Sequence, residues 1–286
     1  MWFVIAVGGA LLVAFLCFEI AARRPGAPQI NLSLQKTQLG LFWKPILDSK
    51  KTVLICNSTV IAFSPSQDYL RRLQPPARPG NLEEPATYVE VPPLKEGQAL
   101  TSKELNTLPD GYMTPGGLAA TVNITNLLLN WHRNYDLRSG SNLPFVDLQA
   151  SPTVLIGAFS NYWVLDFARD LPFFLDRGGR IRERGGQHRV WSTPDGPDEK
   201  ATDDYAIVSR LVVSKTKFPV IMISGRTSCG TEAAGEFVTE TDPMQVKLLR
   251  TLSREVLEKK NLELVIHASL DDCKATSMNI VALTTW

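Results

Sequence analysis

Three runs of the chain are continuously apolar and rich in β-branched residues: "TVLIC" (52–56), "TVLIGA" (153–158) and "VIMIS" (220–224). Strands that are apolar on both faces are typical of a sheet that helices cover on both sides. Helical patterns alternate with these runs along the chain. We therefore predict an α/β fold, three-layer and Rossmann-like, with a mostly parallel sheet and antiparallel edge strands.

Further segments extend this prediction. "DYAIVSR", "LELVIHASL" and "MNIVALTTW" predict strands, and residues 244–260 predict a charged amphipathic helix. Apolar residues recur about every 3.6 positions between residues 115 and 135, which predicts another helix. The residues expected to face the core from that helix are Leu118, Val122, Leu127, Trp131 and Tyr135.

The fold is expected to be preceded by one transmembrane helix. Residues 2–22 are apolar apart from Glu19, and about 20 apolar residues are needed to cross hydrocarbon. No basic residue precedes this stretch, whereas a cleaved signal peptide has a basic amino-terminal region. We predict an uncleaved single-pass anchor (1–22) in the inner (cytoplasmic) membrane. Arg23 and Arg24 follow it directly, which favours a cytoplasmic location for the rest of the chain.

After the anchor we predict a linker at residues 23–40 and a soluble α/β domain at residues 41–286. Within this domain, residues 64–117 hold nine of the 19 prolines, which indicates a long irregular insertion with one short helix at 102–108. Loops of this length are usually functional or bind partners. A non-catalytic accessory subunit of a larger membrane-protein complex is therefore the alternative function.

Composition excludes several classes of function. The formal net charge of +1 provides no nucleic-acid-binding surface. The four cysteines contain no C-x-x-C pair and the three histidines are scattered, so neither a disulfide framework nor a metal site is expected. There is no G-x-S-x-G elbow, and we predict no catalytic residue. A binding role is favoured over an enzyme, and no particular cofactor is indicated.

Three strand exits are candidates for a ligand site: "ICNST", "LIGAFSN" and "ISGRTSCGTEAAGEF". Ligands in open α/β sheets gather at the carboxyl ends of strands. In the third exit, Gly230 permits backbone approach and Thr231 suits a helix N-cap, where free N–H groups favour an anion. The alternative interpretation is a tight corner that serves packing alone. We predict a small anionic ligand bound by Ser160, Asn161, Arg210, Gly225, Arg226, Ser228, Gly230 and Thr231.

The patterns LIGAF-N-W, DYAIVSR and GT-AA-EF occur together in this chain. In these motifs the chain resembles an uncharacterised family of membrane-tethered α/β domains, seen mainly in acidobacterial sequences. The resemblance covers most of residues 42–286 and implies no established activity. Some members carry a winged-helix DNA-binding domain before the membrane segment, which implies a sensor role and a domain outside the cytoplasm. The resemblance and the charge pattern therefore imply opposite sides of the membrane.

Overall fold

The computed structural model describes residues 37–73, 93, 95–139, 143–193, 201–240 and 252–286. The helices in these ranges are α1 (Gln38–Asp48), α2 (Gln67–Leu73), α3 (Pro115–Asn130), α4 (Phe145–Leu148), α5 (Tyr162–Ala168), α6 (Ser228–Thr239) and α7 (Arg254–Lys259). The strands are β1 (Val53–Asn57), β2 (Val60–Pro65), β3 (Leu105–Tyr112), β4 (Tyr135–Ser139), β5 (Thr153–Ile156), β6 (Phe173–Leu175), β7 (Ile181–Glu183), β8 (Val190–Trp191), β9 (Asp203–Leu211), β10 (Val220–Gly225), β11 (Leu262–Asp271) and β12 (Lys274–Thr285).

Seven strands form one mixed sheet in the order β12-β11-β9-β10-β5-β1-β4. The four strands β4, β1, β5 and β10 are parallel. β9, β11 and β12 continue the sheet with antiparallel pairings. Two small antiparallel sheets, β2–β3 and β6–β7–β8, lie beside it.

The prediction of a mostly parallel, Rossmann-like sheet is therefore wrong. Parallel neighbours need a crossover of about a dozen residues or more, usually a helix. Residues 212–219, which join β9 to β10, contain no helix, and a loop of only Asp272 and Cys273 joins β11 to β12. These short connections allow only antiparallel pairing of β9 with β10 and of β11 with β12, and β11 also pairs antiparallel with β9.

No helix within the described ranges is long and apolar enough to cross a bilayer. The predicted transmembrane helix at residues 2–22 lies outside those ranges, as does most of the predicted linker, and the helix therefore forms no part of the fold described. The described chain opens with α1, which begins at Gln38, and Leu39 and Trp43 of this helix are buried in the main core.

The two faces of the sheet are covered differently. α1, α3 and α6 pack on one face, where residues such as Ile55, Ile156 and Ile223 form the main core. On the other face, α4 and α5 cover the parallel strands around Cys56 and Leu155. The small sheet β6–β7–β8 covers the antiparallel strands on that second face. The molecule therefore has helices on both sides of its parallel half, but a second sheet on one side of its antiparallel half.

Helix α3 confirms the predicted helix but not all of its predicted core face. Trp131 and Leu127 are buried as expected, whereas Leu118 and Val122 are exposed. Small residues face the interior because α3 and α6 approach closely: a methyl group on Gly235 of α6 would lie 2.6 Å from the Ala120 side chain. Larger side chains would hold the two helices apart.

The described part of the proline-rich insertion is more regular than predicted. β2 pairs with β3, so that Phe63 lies opposite Thr107, where a short helix was predicted. α2 follows β2 directly. Residues 74–92 of the insertion lie outside the described residues.

The structure also contains a disulfide between Cys229 and Cys273, which lie 44 residues apart in the sequence. The prediction that the cysteines form no disulfide is wrong at this pair. The spacing of the cysteines could not indicate the bond, because only the packing of the β11–β12 loop beside α6 brings the two residues together.

A buried carboxylate connects the small sheet to the large one. Glu263 of β11 accepts hydrogen bonds from the Phe173 N–H of β6 (2.8 Å) and from the Ser209 hydroxyl of β9 (2.7 Å). Burial raises the pKa of Glu263 to about 7, although both hydrogen bonds act to lower it. The carboxyl group is therefore protonated in the folded protein at pH values where it is ionised in the unfolded chain.

Glu263 makes the stability of the fold dependent on pH. Because its pKa is raised on folding, its contribution is fully present below about pH 4.5 and is lost as pH rises towards 7, on the order of 3 kcal/mol in total. We expect Glu263→Gln, whose amide suits both neighbours, to match the wild type at pH 5 and to be more stable at pH 8. Urea unfolding at the two pH values measures this. An unchanged difference between the two pH values in the variant would contradict the assignment.

Candidate functional site

The three predicted strand exits lie at one edge of the sheet. β1, β5 and β10 are adjacent and parallel, so their carboxyl ends meet there, as predicted. The backbone connects the exits directly. The Ser58 N–H donates to the Ile156 carbonyl (3.0 Å), and the Gly157 N–H donates to the Ile223 carbonyl (2.9 Å).

The exits leave this edge towards opposite faces. β5 leads into α5 on one face, while β10 leads into α6 on the other. α3, which follows β3, packs on the same face as α6. Adjacent strand exits that diverge in this way leave a crevice between them, and ligands of open α/β sheets bind at such a switch point. In this protein the switch point lies at the end of β5.

Five residues form what we name the switch-point cluster: Asn57, Ser58, Gly157, Ser160 and Ser224. Gly157 has φ +105°, and a methyl group there would lie 2.0 Å from Ser58 Oγ and 3.8 Å from Ser160 Oγ, so the two hydroxyl groups flank it. The Ser224 hydroxyl donates to the Gly157 carbonyl (3.0 Å). Within the described ranges, the hydroxyls of Ser58 and Ser160 make no hydrogen bond.

Asn57, next to Ser58, carries a third unpartnered group, on the side of β1 that faces α3. Its amide nitrogen donates to the Gly117 carbonyl (2.9 Å) and to Thr121 Oγ1, which fixes the side chain against the first turns of α3. Its Oδ1 atom is fully buried and accepts no hydrogen bond from the described residues. A buried polar atom without a protein partner is uncommon in native structures, and this one can accept a hydrogen bond from a bound molecule.

Asn161, in contrast, is saturated by the fold. Its amide nitrogen donates to the carbonyls of Ile156 (3.1 Å) and Cys56 (3.3 Å), and its oxygen accepts from the N–H groups of Trp163 and Val164. The side chain therefore joins β1 to β5 and caps α5. These contacts leave Asn161 a structural role beside the cluster, whereas Ser160 belongs to it.

The amino terminus of α6, where an anion was expected, already holds one. The Asp204 carboxylate of β9 is fully buried and accepts from the N–H groups of Gly230 (2.8 Å) and Thr227 (3.2 Å), and from the Thr227 hydroxyl (2.6 Å). Burial raises the pKa of Asp204, and these donors partly offset that effect. The aspartate thus takes the position that a phosphate or carboxylate ligand would occupy.

The remaining residues of the predicted loop serve this internal contact. Thr227, rather than Thr231, is the N-cap of α6. A methyl group on Gly230 would lie 2.4 Å from Asp204 Oδ2, and one on Gly225 would lie 2.0 Å from the Thr231 nitrogen. The Thr231 hydroxyl accepts from the Gly225 N–H (3.1 Å), and the Ser228 hydroxyl accepts from the Gly116 N–H of α3 (2.9 Å). For this loop, the structure favours the tight-corner interpretation.

Arg210 lies at the opposite edge of the sheet, so the prediction that it joins the same pocket is wrong. β9 is antiparallel to β10, and Arg210 therefore pairs with Ile221 at the start of β10. The guanidinium donates to four backbone carbonyls, including those of Val256 (2.9 Å) and Lys260 (2.7 Å) at the end of α7. Burial lowers the pKa of Arg210 to about 10. Its role is to cap a helix.

Asp203 and His267 form a second polar group at the same edge of the sheet as the switch-point cluster. This group lies on the face of β9 opposite to Asp204. Asp203 Oδ1 is 3.0 Å from His267 Nε2, and the His267 ring packs against Tyr205. Arg226 donates through its backbone to Tyr205 and through its side chain to Thr193. Asp203 and Asp204 thus point to opposite faces, as predicted. The described contacts place no nucleophile against His267, so they form no catalytic triad.

No three histidine, cysteine, aspartate or glutamate side chains converge as a metal site within the described part of the chain. Comparison with models of known families, with curated proteins and with solved structures gives no match. The geometry of the switch-point cluster is therefore the basis for a functional proposal.

We expect Asp204→Ala to destabilise the domain by about 2 kcal/mol, because the N–H groups of Thr227 and Gly230 lose a buried acceptor. Asp203→Ala is the matched control, since this neighbour is half-exposed and faces the other way. The control should change stability by no more than about 0.5 kcal/mol. Chemical unfolding of both variants measures the difference. Equal losses in the two variants would show that Asp204 is not needed to cap α6.

Proposed function

We propose that the domain binds a small anionic ligand, which also carries a hydrogen-bond donor, at the switch-point cluster. One observation carries this proposal: Ser58 Oγ, Ser160 Oγ and the buried Asn57 Oδ1 have no hydrogen-bond partner among the described residues, and they lie where two strand exits diverge. Groups without partners at a switch point are the usual basis of a ligand site in this class of sheet.

In this proposal the two serine hydroxyls, rather than a helix terminus, bind the anionic group. The amino terminus of α6 is compensated by Asp204, whereas the first turn of α3 contains no acidic side chain. α3 begins beside Asn57, which donates to the Gly117 carbonyl in that turn. The first N–H groups of α3 are nevertheless occupied: that of Gly116 donates to the Ser228 hydroxyl, and that of Gly117 donates to the Thr114 hydroxyl.

The chemistry of the cluster defines the ligand class further. Two serine hydroxyls can donate to a phosphate or carboxylate oxygen, while Asn57 Oδ1 can only accept. A ligand that satisfies all three groups carries an anionic group and, next to it, a hydroxyl or amine. Sugar phosphates, nucleotides and hydroxy acids fit this description. Of the predicted ligand-binding residues, Ser160 remains in this proposal, whereas the loop from Gly225 to Thr231 is occupied by Asp204 and by its own contacts.

A thermal-shift screen of the full chain in mild detergent tests this proposal. Inorganic phosphate, sugar phosphates, nucleotides and hydroxy acids serve as probes. A ligand present at about 100 times its dissociation constant adds about 2.7 kcal/mol, or roughly 5–10 °C in Tm. We expect Ser58→Ala and Ser160→Ala each to weaken binding by about tenfold, through the loss of one hydrogen bond to a charged group.

Ser277→Ala is the matched control, because Ser277 lies on β12 at the far edge of the sheet. It should leave affinity unchanged. If no probe class raises the Tm of the wild type, or if the control weakens binding as much as the two cluster variants, the proposed site is wrong.

The second candidate function, an accessory subunit of a membrane-protein complex, is favoured by the two-stranded sheet β2–β3. Ile61 and Phe63 lie two residues apart on one face of β2, and they are 69% and 61% exposed. Neighbouring large apolar side chains exposed to this degree are typical of a surface that contacts another protein.

We expect the full chain, solubilised in mild detergent from its native membrane, to migrate as part of a larger complex. Ile61→Ser with Phe63→Ser should release it as a monomer, because the partner loses an apolar contact. Leu129→Ser is the control, since Leu129 is an exposed apolar residue at the far end of α3. Native electrophoresis distinguishes the two states. A wild-type chain that migrates alone would contradict this second candidate.

A further inference from the structure

The disulfide between Cys229 and Cys273 fastens a hairpin loop to the first turn of a helix. Cys229 is the second residue of α6, and Cys273 lies in the two-residue loop between β11 and β12. Their Cα atoms are 4.9 Å apart, within the range of protein disulfides. Next to this bond, Lys274 forms an ion pair with Glu232 of the same helix. Two contacts of different kinds thus hold the loop on α6.

The backbone of the loop indicates that a cysteine is placed here for its bond. Asp272 and Cys273 both have positive φ, 47° and 62°. Tight hairpins of this kind prefer Asn-Gly or Asp-Gly, because glycine adopts positive φ without a steric penalty. A cysteine at the glycine position makes the free loop less favourable. Its presence is explained if the side chain supplies a link that glycine could not.

The other described cysteine does not compete for this bond. Cys56 is a residue of β1, and its side chain lies in the core beneath α5. It is 1% exposed and is not in a disulfide. Burial raises the pKa of its thiol to about 11, so it is almost entirely a thiol rather than a reactive thiolate at neutral pH. Within the described chain, Cys229 and Cys273 are therefore the pair whose bond can form without competition from Cys56.

We propose that this domain folds and acts in an oxidising compartment outside the cytoplasm, where Cys229 and Cys273 form a permanent structural bond. Stable disulfides persist in such compartments and are rare in the cytosol. The two thiols lose two protons and two electrons by exchange with the disulfide of a thiol–disulfide oxidoreductase, which leaves as a dithiol. This location is opposite to the one that Arg23 and Arg24 predict. It rests on the cysteine pair and is independent of the proposed ligand.

Thiol trapping in intact cells tests the compartment. The full chain with Cys17→Ser and Cys56→Ser is produced in bacteria, quenched in acid and alkylated with a maleimide polymer under denaturing conditions. We expect no mass shift without prior reduction and a shift of two polymer units after it. A shift of two units without reduction would show that the bond is absent in the cell and would overturn the proposal. A strain without the periplasmic oxidant is the control and should yield reduced protein.

Protein stability separates a structural bond from an incidental one. A closed loop of this length stabilises a domain enough that reduction should lower the Tm by roughly 10 °C. Cys229→Ser with Cys273→Gly should have a low Tm that reductant does not change. Cys56→Ser should retain the full response to reductant. If the wild-type Tm does not respond to reductant, the bond does not support the fold and the proposal fails.

Discussion

The fold depends on the burial of Asp204 at the start of α6. This carboxylate comes from the antiparallel half of the sheet and satisfies backbone donors at the exit of β10, the last parallel strand. A buried charge is costly without hydrogen-bond partners. When several donors surround it, their hydrogen bonds offset that cost and fix the conformation of the backbone that supplies them. Asp204 therefore fixes the angle at which β10 turns into α6, and with it the position of every residue in that exit.

Strands β9 and β11 carry two further buried ionisable side chains that hydrogen-bond to other layers. Arg210 reaches four backbone carbonyls and holds α1 and α7 on the sheet, while Glu263 holds the small sheet β6–β7–β8 on the opposite face. Each of these buried ionisable groups bonds to the backbone of another layer. The antiparallel strands thus connect the layers through polar contacts, whereas the parallel strands contribute mainly apolar packing.

This division explains why the candidate site lies where it does. Polar groups on β9 and α6 are used to hold the fold, so they are not available to a ligand. At the switch point beside β5, Ser58, Ser160 and Asn57 have groups that no described neighbour satisfies. The disulfide and the Lys274 ion pair hold α6 from the other side. These contacts fix α6 after β10, whose Ser224 donates to the Gly157 carbonyl of the cluster.

The sequence alone determined the elements that depend on local pattern. The apolar runs at β1, β5 and β10 predicted buried strands, and a 3.6-residue repeat predicted α3, because burial on two faces or on one stripe leaves a local trace. It also indicated that the three exits share an edge.

Tertiary structure decided the rest. The antiparallel course of β9 moved Arg210 to the far edge, and Asp204, 26 positions before Gly230, filled the helix terminus that had suggested an anion. Close packing of α3 on α6 turned Leu118 and Val122 outward, and the packing of the β11–β12 loop beside α6 paired Cys229 with Cys273. Such contacts join residues that are far apart in the chain, so no local pattern encodes them.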